Sequence, residues 1–76
     1  MKNLIEEIVK VLVDHPEEVQ VQEVAGEQSI VYEIKVEPGD IGKVIGKQGK
    51  TANAIRALIR AAAAKNGKNA VINIIS

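Results

Sequence analysis

Cysteine, tryptophan and phenylalanine are missing from this 76-residue sequence, and Tyr32 is the sole aromatic. Without thiols there are no disulfides and no thiolate metal sites. Modules that hold single strands by base stacking need several aromatics, each worth about 1–3 kcal/mol per base. One tyrosine cannot supply that, so any nucleic-acid contact has to be led by phosphates. Long apolar runs are missing too: none approaches the roughly 20 residues of a membrane span. The opening stretch, MKNLIEEIVK, carries acids where a signal peptide needs an apolar segment. These absences predict a soluble, cytoplasmic protein with no membrane association.

Acids are absent from residues 41–76, which hold seven lysines and arginines and a net charge of +7. Residues 1–40 hold ten acids against three lysines, a net charge of −7. The overall zero therefore conceals two opposed halves, and such asymmetry points to a charged partner for one face. The blander account is a dipolar domain whose halves attract one another. The clustering of the cations around glycines favours the first account.

What is present is mostly Val, Ile, Leu and Ala; apolar residues make up 46%. That is a globular composition in a chain near the lower limit for a self-sufficient core, so extra burial in a dimer is expected. Asn3 with Glu6 predicts a capping box before a helix carrying Ile5, Ile8, Val9 and Leu12. Asp14-His15-Pro16 ends it. Glu18–Ala25 alternates as a strand, with Val19 and Val21 on one face. Val24 breaks the phase and predicts a bulge near Gln22–Glu23. After a turn over Ala25–Ser29, Ile30–Glu37 reads as a second strand with Ile30, Tyr32, Ile34 and Val36 on one face. Tyr32 thus reads as core. Pro38-Gly39 stops the strand, and Asp40 is the expected N-cap of a short helix over Ile41–Ile45. A longer helix runs from Lys50 or Thr51 to about Lys65, with Ala52, Ile55, Leu58, Ile59 and Ala62 as its apolar stripe. Asn66-Gly67 suits a left-handed C-cap. Asn69–Ile75 is a final strand.

The chemistry concentrates in IGKVIGKQGKTANAIR, Ile41–Arg56. Gly49-Lys50-Thr51 matches the end of a nucleotide P-loop, but the spacing requires glycine where Val44 stands. A short helix also intervenes before the loop, and no later strand offers a magnesium-binding Asp. The dinucleotide fingerprint G-x-G-x-x-G fails at Val44 as well. No nucleotide cofactor is expected. What remains is Gly46-Lys47-Gln48-Gly49 between two helices. Two residues without Cβ let the backbone approach another chain closely. The helix N-terminus behind them favours an anion. Lys43, Lys47 and Lys50 surround it. A plain helix-turn-helix corner with solvated lysines is the structural alternative.

Enzyme chemistry finds little footing. His15, the only histidine, reads as a loop residue rather than a metal ligand. Glu6/Glu7 and Glu17/Glu18 read as solvated faces. No nucleophile–base pair is legible, so no catalytic residue, metal or cofactor is expected.

VIGKQGKTANAIRAL, Val44–Leu58, resembles the V-I-G-x-x-G signature of KH domains, modules that clamp about four nucleotides with a GXXG loop. The element order resembles the bacterial type II KH topology, and length and wording resemble the KhpA family of small bacterial KH proteins. The resemblance implies an α+β, two-layer fold in the order α-β-β-α-α-β. One KH domain would cover residues 1–76. The three-stranded mixed sheet would carry three helices on one face, its last strand parallel to Ile30–Glu37. It implies that Gly46 and Gly49 bring backbone against phosphates, while Lys47 and Gln48 touch phosphate or sugar. Asn53 and Arg56 would serve at the groove rim, with Lys43 and Arg60 as a general field. Ile41, Val44, Ile45, Ala52 and Ile55 would divide between groove floor and core. Ala52 stands where many eukaryotic KH domains carry Ile, implying a shallower floor. The implied function is non-catalytic binding of single-stranded RNA, with RNA chaperoning or post-transcriptional regulation. The implied partner is a second copy or a KH-containing protein of the KhpB or Jag type. The rival readings are a protein-interaction module and a single-stranded DNA binder using the same basic face.

Overall fold

The structure, a computed structural model, describes residues 1–75. Helix α1 spans Lys2–Leu12, strand β1 Gln20–Ala25 and strand β2 Ser29–Lys35. Helix α2 covers Ile41–Ile45, helix α3 Lys50–Ala64 and strand β3 Asn69–Ile75. The sheet order is β1-β2-β3. The β1–β2 hairpin is antiparallel and β3 runs parallel to β2. A parallel neighbour needs a long crossover. Here α2 and α3 are that crossover, which puts the Gly/Lys corner between the two strands in sequence and outside the sheet in space.

Local chemistry explains each element. In α1, Ile5 and Val9 are spaced one turn apart and are fully buried. The expected Asn3 capping box does not form. The helix begins earlier, with Met1 in the cap position and no side-chain cap. Glu6 instead reaches forward to Lys10, Oε1 to Nζ 2.9 Å, a favourable i, i+4 pair. On β2, Tyr32 and Ile34, with Val36 just beyond it, are buried on the helix-facing side. Period-two alternation sends Val31, Glu33 and Lys35 to the open side.

No bulge interrupts the hairpin. Its register runs unbroken from Gln20 opposite Lys35 to Ala25 opposite Ile30. Val24 belongs to the open face. It lies beside Val31, which lies beside Val71, making a row of valines across all three strands.

Helix α1 packs on β1 and α3 on β3, while α2 touches both helices. Val44 of α2 is fully buried at that junction. The buried stripe of α3 is Ala52, Ile55, Ile59 and Ala63. Leu58, expected in the stripe, is half exposed, and Ala62 is only partly covered. The C-terminus of α3 closes as predicted. Gly67 adopts φ 68°, its N–H bonds the Ala64 carbonyl, and the Lys68 N–H bonds the Ala63 carbonyl. This pair of bonds is a Schellman motif with glycine at the left-handed position. Among the described residues, no helix is long and apolar enough to cross a membrane.

Candidate nucleic-acid interface

The corner between α2 and α3 is built from unusual backbone. Gly46 sits at φ 77°, ψ 173°, a region open essentially to glycine alone. Gln48 follows at φ 58° and Gly49 at φ 75°. The Gly46 N–H bonds the Gly42 carbonyl, and the Gly49 N–H bonds the Gly46 carbonyl, 3.1 Å. The first bond ties the turn to α2, and the second closes the turn on itself.

The two glycines differ in their surroundings. A Cβ on Gly46 would fall 2.6 Å from the Thr51 Cβ and 2.9 Å from the Thr51 backbone nitrogen. The corner is folded flush against the first turn of α3. A Cβ on Gly49 would meet only the Asn53 amide, at 3.9 Å, so the space beside Gly49 is open. No side chain caps the α3 N-terminus. Its positive dipole end has no side-chain acceptor.

Lys47, Gln48 and Lys50 are exposed and Arg56 is half-buried. Among the described residues no carboxylate pairs with Lys47, Lys50 or Arg56. Asn53, Arg56 and Arg60 follow at three- and four-residue steps, on one side of α3 beyond the corner. Of the apolar residues expected to divide between groove and core, Val44, Ala52 and Ile55 are buried, Ile41 is half-buried and Ile45 is exposed.

Lys43 departs from the lysine group. Its ammonium pairs with Asp14, in the segment after α1. That hydrogen bond raises its pKa, Coulomb attraction to Asp14 and Asp40 adding to it. Its charge is therefore largely answered within the domain.

Asp40 is the clearest departure. It occupies the position before α2, yet its side chain makes no cap. It is 2% exposed, and its Oδ2 accepts from the His15 backbone N–H and from His15 Nδ1, both at 3.0 Å. Glu37 Oε2 lies 3.8 Å from the same ring nitrogen and accepts from the Gly39 N–H at 2.8 Å. The hydrogen bond to Asp40 raises the His15 pKa above 6.5, with nearby carboxylates assisting against desolvation. Burial acts to raise the Asp40 carboxyl, but the His15 bonds outweigh it and hold it below its ordinary value. This link clamps the α1–β1 connection to the entry of α2. Its partners are 25 residues apart and neither sits in a motif, so nothing local in the sequence announced it.

Three helices on one side of a mixed sheet, two of them joined at a GXXG corner, define a KH domain of the type II topology. Its corner is flush with one helix and open to solvent on the other side. The chain belongs to the KhpA/KhpB KH-domain family, whose model matches residues 2–74. It is 63% identical to the RNA-binding protein KhpA of Clostridium acetobutylicum, over 99% of this chain and all of that one. It is 59% identical to the protein of the same name from Clostridium perfringens, with the same coverage. The Aquifex aeolicus protein of that name is 43% identical, over 99% of this chain and 95% of its own. No solved structure matches the chain.

Proposed function

We propose that this protein binds short single-stranded RNA at the Gly46–Gly49 corner, without catalysing a reaction, as one KH domain over residues 1–76. The observation that carries this reading is the corner itself. Gly46 seals it against Thr51, while Gly49 leaves open space beside exposed, unpaired Lys47 and Gln48. A sugar-phosphate backbone fits that space. Lys47 and Lys50 answer its charge, and Gln48 can donate or accept at sugar or phosphate. Asn53 and Arg56 lie further along α3 and reach the next nucleotides. Lys43, held by Asp14, contributes only to the field. The relatives named as RNA-binding proteins support the choice of RNA.

Binding without aromatic stacking is phosphate-led and salt-sensitive. Neutralising about three phosphates gives a log–log salt slope near −2 on single strands. A cytoplasmic RNA chaperone or post-transcriptional regulator fits such modest, sequence-tolerant contact. The family description joins two kinds of protein, KhpA and KhpB, and a KhpB-type chain is the proposed hetero-partner.

The test is the double variant Lys47→Asp, Gln48→Asp. Both side chains are exposed, so the fold survives, which circular dichroism checks. RNA retention on filters should fall at least tenfold. Undiminished retention by the folded variant overturns the proposal. Competition with DNA of equal sequence distinguishes RNA from single-stranded DNA as ligand.

A further inference from the structure

His15, Glu37 and Asp40 stand in two separate connections, the first after α1 and the other two between β2 and α2. The fold brings one donor atom of each within 4.8 Å of the others. His15 Nδ1 lies 3.0 Å from Asp40 Oδ2 and 3.8 Å from Glu37 Oε2. Two donors on one zinc ion, with bonds of about 2.1 Å at tetrahedral angles, stand about 3.4 Å apart. The two observed distances bracket that figure.

The surroundings leave charge to be answered. Among the described residues, no lysine or arginine pairs with Glu37 or Asp40. Lys43 acts on Asp40 only through Coulomb attraction and is itself paired with Asp14. With the imidazole neutral, two carboxylates face one ring nitrogen and no cation touches either. One of them, Asp40, is fully buried, and buried charges are ordinarily paired or coordinate a metal.

Both carboxylates are already aimed. Asp40 Oδ2 also accepts from the His15 N–H at 3.0 Å, and Glu37 Oε2 from the Gly39 N–H at 2.8 Å. Backbone bonds of this kind orient ligands and survive when a metal takes the ring nitrogen. The His15 side chain is half exposed and that of Glu37 partly so. An ion therefore has a path from solvent, and Glu37 has room to close on it.

We propose that His15 Nδ1, Asp40 Oδ2 and Glu37 Oε2 bind a divalent ion of the zinc class, with water completing a tetrahedral set. The imidazole donor selects against magnesium and calcium, which take oxygen shells. The Nδ1 lone pair forms the bond, so any proton on Nδ1 passes to solvent and the ring keeps the one on Nε2. Two carboxylates neutralise the dication. The ion ties the α1–β1 connection to the entry of α2, the kind of staple that small domains use to supplement a limited core. No residue of the Gly46–Gly49 corner takes part, so the site stands apart from RNA binding.

Zinc chloride added to the untagged chain at neutral pH, followed by NMR, tests this. His15 is the only histidine, so its ring signals report the site unambiguously. A few equivalents should shift them, saturating at one ion per chain, and should raise the urea midpoint. Cobalt in place of zinc should give the visible bands of a tetrahedral ion. Glu37→Gln changes a partly exposed side chain and leaves the fold intact, which circular dichroism checks. It should bind zinc at least about tenfold more weakly, the lower bound seen even for outer-shell partners. Excess magnesium should not displace the zinc. Ring signals that ignore zinc overturn the proposal. So does equal affinity in Glu37→Gln, the mark of a lone surface imidazole, and so does displacement by magnesium, the mark of a plain acidic surface.

Discussion

Thr51 occupies the place where Gly46 would carry a side chain. A Cβ there would stand 2.6 Å from the Thr51 Cβ and 2.9 Å from its backbone nitrogen. Gly46→Ala therefore meets both a forbidden φ and a collision, and should destabilise the fold by more than about 2 kcal/mol. Gly49→Ala meets only the left-handed conformation, costing about 1–2 kcal/mol. Urea unfolding ranks the two. Adding Thr51→Ala should not rescue Gly46→Ala, because the Cβ and nitrogen of residue 51 remain.

Gly67 provides the conformational cost in isolation. Its φ is 68°, and an added Cβ meets nothing within 4 Å. Gly67→Ala should lose about 1–2 kcal/mol, Gly67→Asn less, since asparagine tolerates this region. Both should bind RNA normally at temperatures where they are folded.

Lys43 and Lys47 look alike in sequence but not in the fold. Lys43→Gln should weaken RNA binding much less than Lys47→Gln, since Asp14 already neutralises Lys43. Asp14→Asn, by freeing Lys43, should tighten binding by less than about fivefold, the scale of an exposed ion pair. Filter binding at low and moderate salt separates these effects. Lys47→Gln should also reduce the log–log slope by about 0.7, one phosphate contact.

The His15–Asp40 link predicts a pH window. His15 titrates above its ordinary 6.5 in the folded state. Its contribution is complete below 6.5 and is lost as pH rises through the raised value. Asp40 titrates below its ordinary 3.8. Its contribution is present above 3.8 and is lost as pH falls through the lowered value. The protonated pair therefore stabilises most between about pH 4 and 6.5. His15→Gln should lower the urea midpoint more at pH 5.5 than at pH 8. As the only histidine, His15 gives an unambiguous NMR titration, which Asp40→Asn should shift downward.

Periodicity made the elements legible, because Ile30, Tyr32, Ile34 and Val36 alternate along a single strand and Ile5 and Val9 repeat along a single turn. Gly67 and the Gly46–Gly49 corner were legible for a similar reason, since glycine marks backbone that other residues avoid. Three of the misreadings have a partner outside the local window. Asp40 looked like a cap because the competing donor, His15, approaches from another loop. Val24 looked like a bulge because its companions Val31 and Val71 lie on neighbouring strands. Lys43 looked like part of the lysine ring because Asp14 was remote. Asn3 lost its cap to an earlier helix start, with Met1 in the cap position, and Leu58 is half exposed while the buried stripe runs through Ile55, Ile59 and Ala63.

The crossover has a kinetic consequence. Strand β2 pairs residues 29–35 with residues 69–75, and the Gly46–Gly49 corner lies inside the enclosed loop. Contacts so distant in sequence form late in folding. A growing chain carries the corner out of the ribosome before β3 emerges to lock α3 over the sheet. The geometry of the corner is thus acquired only at the last cooperative step. A nascent chain holds the lysines of this corner without its fixed backbone, so the proposed RNA site would be complete only on the finished fold.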